Sequence, residues 1–134
     1  MLTTTRKRQI ARNGDVPMDQ TLQDVMQRID RFAHDRDWDQ FHSPKNLAAS
    51  IAIEASELLE RFQWTDERAD DLKQDKHALA KVSSEIADIL NYAFRLCSIL
   101  DLNPVDVVLE KLDENAEKYP VELAHGTSKK YTEL

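Results

Sequence analysis

Apolar residues recur along this chain at three- and four-residue spacing, and no segment alternates regularly enough to suggest a strand. The pattern predicts four helices. The first runs from about Met18 to about Asp35 and carries Leu22, Val25, Met26, Ile29, Phe32 and Ala33 on one side. A polar loop, "DRDWDQFHS", follows it. Ser43 then reads as an N-cap with Pro44 in the first helical position, opening a second helix that lasts to about Trp64. The connector "TDERADDLKQD" has room for a short helical turn, and a third helix spans about His77 to Leu100. Asn103-Pro104 repeats the cap-plus-proline signal and opens a fourth, ending near Tyr119-Pro120. This divides the chain into a disordered tail over 1–17, one all-α domain over 18–120 and a C-terminal tail over 121–134 without periodicity.

Each residue turns about 100° around a helix axis, so the stripes locate the acids. On the second helix Leu47, Ala48, Ile51, Ala55, Leu58 and Phe62 share the side expected to face the core. Glu54 falls just off its edge and Glu57 lies about 60° further round. On the third helix Val82, Ile86, Ile89, Ala93, Leu96 and Leu100 form the matching stripe, with Glu85 and Asp88 beside it at the same offset. Tyr92 lies on that side close to Glu85. Glu60 is further round, as a solvent-facing or supporting acid.

Two helices packed antiparallel would bring these four carboxylates together. Unrelieved, they repel one another, so some must protonate or a cation must sit between them. A divalent metal is the economical answer, and an all-oxygen set suits Mg²⁺, with Mn²⁺ as a substitute. Zinc calls for His or Cys, and the Glu-x-x-His of di-iron bundles is absent from these segments.

Composition narrows the class further. The net charge of −7 makes the chain a poor general binder of nucleic-acid backbone. It leaves open a small phosphate compound whose charge is met by metal. The opening "MLTTTRKRQIARNG" is basic and lacks acids, in keeping with a disordered tail. Cys97 is the sole cysteine, which excludes an intrachain disulfide and fits a reducing cytoplasm. No apolar run is long enough for a membrane helix.

The segments "EASE" (Glu54 to Glu57) and "EIAD" (Glu85 to Asp88) resemble the Glu-x-x-Glu, spacer, Glu-x-x-Asp signature of MazG-like, all-α nucleoside triphosphate pyrophosphohydrolases. The segments "RDWDQFHSPKNLA", "ERFQW", "SEIADILNY", "KLDENAEKYP" and "SKKYTEL" resemble, in the same order, the branch that acts on dCTP; the match covers about Leu22 to Leu134. The resemblance implies a four-helix MazG-like bundle that converts a dNTP, dCTP or a modified dCTP, to dNMP and pyrophosphate. It implies Mg²⁺ held by Glu54, Glu57, Glu85 and Asp88. It also implies a nucleoside pocket lined by Trp38, Trp64, Tyr92 and Asn115, some supplied by a neighbouring subunit, with Lys111 and Lys118 suited to phosphate. Ile29 stands where close relatives carry a histidine, which puts the base preference in question; His34 points elsewhere.

The residues agree with that chemistry. An acidic protein repels a triphosphate unless metal reverses the local field, and Glu57 or Glu54 could accept the proton of the attacking water. The Trp rings offer flat stacking faces, and Asn115 offers donor and acceptor to a base edge. His42 and Lys45 flank the start of the second helix, where an anion would be favoured. Ile53, Ala87 and Phe94 are apolar on the faces opposite the main stripes, which implies burial on both sides and hence a homo-oligomer. The resemblance makes it a dimer or a tetramer of two dimers. The alternatives are the same reaction on a broader or different NTP set, or a non-catalytic helical nucleotide-sensing protein; the full quartet of acids speaks against the latter.

Overall fold

In a computed structural model of the protein, residues 21–134 are described, and they are helical throughout with no strand. The basic tail and the stretch from Met18 lie outside them. Within them the first helix, α1, is Leu22–His34, and Thr21 caps it in extended geometry by accepting from the Asp24 N–H. α2 is Pro44–Glu60, capped by Ser43 on the Asn46 N–H. A short α3, Ala69–Gln74, fills the connector. α4, Lys76–Ile99, begins at Asp75, whose side chain accepts from His77 and Ala78. α5 is Pro104–Lys118, capped by Asn103. Two features of the tail carried no periodic signal: α6, Val121–Ala124, and a 3-10 turn at Tyr131–Glu133.

α2 ends four residues earlier than expected. The chain from Arg61 to Trp64 makes turns, and the Thr65 hydroxyl then accepts the Glu67 N–H, bending it away from the helix axis.

The frame is α2 packed along α4, with α1 against α4 and α3 covering the start of α4. Among the described residues Ala33, Leu47 and Val82 form its buried apolar centre, Leu47 the most completely. The expected stripes need correction. Ile86 of α4 and Leu100 just beyond its end are exposed, as are Ala48 and Ala55 of α2, whereas Glu85 is buried at 7 % exposure. The face that α4 turns inward therefore runs through Val82, Glu85, Ile89 and Tyr92, and takes the acid inside rather than beside the seam.

The fourth expected helix, α5, lies apart from this frame. α5 has no extensive packing against α1, α2 or α4, and Val105, Val108, Leu109 and Leu112 lie exposed along it.

Both long helices that leave the frame exit through the same device. Asp37 and Asp101 adopt left-handed geometry, φ 54 at each. The N–H of Trp38 reaches Ala33 O at 3.0 Å and that of Asp37 reaches His34 O at 2.9 Å. Leu102 to Cys97 and Asp101 to Ser98 repeat the pattern. These are Schellman closures, with Asp in the position more often held by Gly. The first folds Trp38 back over the end of α1.

Candidate active site

The seam between α2 and α4 brings Glu54, Glu85 and Asp88 together, one carboxylate oxygen from each within 4.8 Å of the others. Glu57 sits outside this trio but against Glu54. Burial comes first, then a hydrogen bond to Glu57 and the charges of Glu57, Asp88 and Glu85, in pushing the Glu54 carboxyl above its usual range. A divalent cation would relieve that repulsion. Three hard oxygens at this spacing, with a fourth acid adjoining, could hold a divalent cation.

The trio lies between two cavities of opposite character. One, of about 470 Å³, is lined by Val25, Ile29, Phe32, Trp38 and Tyr92, with Asp88 at its edge. Trp38 packs edge-on against Phe32 at 5.7 Å between ring centres and against His42 at 6.3 Å. Ile29 forms part of this apolar wall. The other cavity, of about 610 Å³, is polar and walled by Glu57, Glu60, Arg61, His77, Lys81 and Glu85 among others.

Two arginines hold the architecture between α1, α2 and α4. Arg95, 9 % exposed, reaches Asp30 at 2.9 Å and His42 Nδ1 at 3.1 Å, and pairs with Asp39. Asp39 also accepts from His34 at 2.9 Å. His42 is thus turned into the apolar cavity to meet Arg95, rather than presented with Lys45 to an anion at the start of α2. Burial, then the charge of Arg95, hold the His42 imidazole below its usual range. Arg61 donates to Glu85 Oε1 from Nε at 3.0 Å and from a terminal nitrogen at 2.5 Å.

Other expected residues are not gathered within the chain. Trp64 is 89 % exposed and lines neither cavity. Lys111, Asn115 and Lys118 ride on α5. Lys111 pairs with Glu114 at 2.6 Å, and Lys118 stands 5.6 Å over the Tyr131 ring. Sequence reasoning missed Arg95, Asp30, Asp39 and Arg61. A signal existed for Arg95 alone, which interrupts the apolar run "AFRLCSIL". A charge buried in such a run demands a partner.

The MazG-like family profile matches residues 49–134. The chain is 38 % identical over 115 residues to dCTP pyrophosphatase 1 of Bos taurus and to that of Homo sapiens, covering 85 % of this chain and 68 % of each relative. A crystal structure of a pyrophosphatase from Archaeoglobus fulgidus superimposes with a TM-score of 0.68 at 36 % identity, over 79 % of this chain and 99 % of that one. The chain belongs to the MazG-like family. No helix among the described residues is long and apolar enough to cross a membrane.

Proposed function

We propose that the protein is a divalent-metal-dependent nucleotide pyrophosphohydrolase that converts a deoxynucleoside triphosphate, dCTP or a modified dCTP, to its monophosphate and pyrophosphate. The observation that carries this reading is the meeting of Glu54, Glu85 and Asp88 between an apolar aromatic cavity and a polar one. The similarity to enzymes named dCTP pyrophosphatase supports the substrate.

In this reading Glu54, Glu85 and Asp88 hold Mg²⁺, or Mn²⁺ in its place, with Glu57 as a further ligand or base. When bound, such an ion would supply positive charge against the phosphates and polarise the α-phosphorus. Everything else falls to the chain. Trp38 and Tyr92 receive the nucleoside in the apolar cavity and exclude water from it. Glu57, outside the trio and facing the polar cavity, takes the proton of the attacking water. The water oxygen bonds to the α-phosphorus, the α–β bridging bond breaks, and its electron pair departs on pyrophosphate. Ile29 gives the cavity wall no hydrogen-bonding group at its position, which favours a base tolerance wider than cytosine as a second reading.

Assembly belongs to the same proposal. The bare apolar stripe of α5 packs on a second copy, giving a homodimer or a dimer of dimers and bringing Lys111, Asn115, Lys118 and Trp64 toward a neighbour's site. Leu112→Asp should then yield monomers in sedimentation; an unaltered oligomer removes α5 from the interface. The reaction itself is tested by incubating purified protein and Mg²⁺ with each common NTP and dNTP and resolving the products. Monophosphate plus pyrophosphate supports it, and diphosphate plus orthophosphate contradicts it.

A further inference from the structure

Arg61 occupies a position that the carboxylate chemistry leaves unexplained. It leaves the C-terminus of α2, where a cation is favoured by the helix dipole, and crosses to α4 to place two N–H groups on one oxygen of Glu85. Glu85 is also a member of the trio that could hold a metal ion. A divalent ion and the Arg61 guanidinium therefore compete for the same buried carboxylate. The side chain of Arg61 is 42 % exposed while that of Glu85 is 9 % exposed, so the arginine is the partner with freedom to move. The place it can move into is the polar cavity, whose wall it already forms together with Lys81 and His77. Lys81 enters no ion pair among the described residues.

Cavity order gives that wall its meaning. Asp88 borders the apolar cavity and Glu85 the polar one, and three residues along α4 separate them by about 4.5 Å. With a nucleoside beside Asp88, the phosphates beyond the α-position run past Glu85 toward Arg61 and Lys81. An arginine presents a planar fork suited to phosphate oxygens.

We propose that Arg61 is an exchangeable counter-ion, pairing with Glu85 in the metal-free site and, once metal takes Glu85, turning with Lys81 onto the pyrophosphate end of the substrate. This rests on the pyrophosphohydrolase reading above. It makes the polar cavity the pyrophosphate compartment and Arg61 an antagonist of metal until phosphate arrives. The order of binding follows: metal enters most readily together with its nucleotide, because the phosphates accept the displaced guanidinium.

The test uses Mn²⁺ alone, then inorganic pyrophosphate with Mg²⁺, on the full chain. Arg61→Leu keeps an apolar stem and removes the charge. Mn²⁺ should bind this variant about 2- to 10-fold more tightly than the parent protein, because its competitor at Glu85 is gone. Pyrophosphate should bind about 10-fold more weakly or worse. Lys81→Ala should share the second effect with little of the first, since the ion pair to Glu85 is made by Arg61 and not by Lys81. Opposite shifts in Arg61→Leu establish the exchange. Unchanged Mn²⁺ affinity, or unchanged pyrophosphate affinity, overturns it, and Lys81→Ala applies the pyrophosphate arm even if Arg61→Leu folds poorly. A parent protein that binds neither Mn²⁺ nor pyrophosphate overturns the pyrophosphohydrolase reading itself, a result distinguishable from failure of the exchange.

Discussion

Arg95 of α4 and Asp30 of α1, 65 positions apart, form a 2.9 Å ion pair that ties α1 to the α2–α4 frame. The same guanidinium holds Asp39 and His42, which bracket the loop after Trp38. The apolar cavity therefore owes its shape to one buried cation. Arg95→Ala should lower the unfolding free energy by about 1–3 kcal/mol, below the 3–5 kcal/mol of a fully buried pair because both carboxylates keep part of their water. Urea unfolding checks this. Asp30→Asn alone should cost less, since Asp39 remains.

His42 makes this network sensitive to acid. Its neutral Nδ1 accepts from Arg95, and burial and Arg95 both lower its affinity for a proton. The folded protein thus binds that proton less readily than the unfolded chain. The contribution of His42 to stability is complete above its ordinary value of 6.5 and is lost as pH falls through the lower folded value. Asp39 faces the same ring and opposes part of the shift. Thermal unfolding of the parent protein and of His42→Gln from about one pH unit above the ordinary histidine value to about 1.5 below it should show a smaller loss in the variant.

The proposed mechanism gives the acids two tasks. Glu54→Gln or Asp88→Asn should abolish the rise in melting temperature on adding Mg²⁺, and lower turnover at least about 100-fold, more than loss of an outer-shell partner. Glu57→Gln should keep most of the Mg²⁺-induced rise yet lose about 10²–10⁴-fold in turnover, the range for a general base. Loss of the melting response in Glu57→Gln would make it a metal ligand instead.

Trp38 and Trp64 separate a ring in a cavity from a ring in solvent. Trp38→Ala should weaken nucleotide binding by about 1–3 kcal/mol in calorimetry, the range for one stacked base. Trp64 is 89 % exposed, so Trp64→Ala should leave the thermal stability of the isolated chain unchanged. A large loss of stability in Trp64→Ala would mean that the ring is packed within its own chain.

The four long helices, their proline-marked starts and the placing of acids along α2 and α4 were legible in the sequence, because periodicity and caps are local. What each face meets is not local. Ile86 fits the apolar stripe by angle yet lies exposed, and Glu85 by angle belongs at its margin yet is buried, because α2 crosses α4 on the Glu85 side. α5 reads as a fourth bundle helix from its pattern alone, but a pattern cannot say whose surface covers it. Arg95 required the opposite inference, from a single charge within an apolar run to three partners on other elements. The Arg61–Glu85 pair gave no local sign, since it spans 24 positions and a loop.

The most direct test of the account is turnover of dCTP in ¹⁸O-labelled water with Mg²⁺, with the products separated and weighed by mass spectrometry. Attack at the phosphorus nearest the carboxylate trio predicts the label in dCMP and none in pyrophosphate, and no reaction when the metal is chelated. Label in pyrophosphate or orthophosphate, or undiminished turnover with the metal removed, would contradict it.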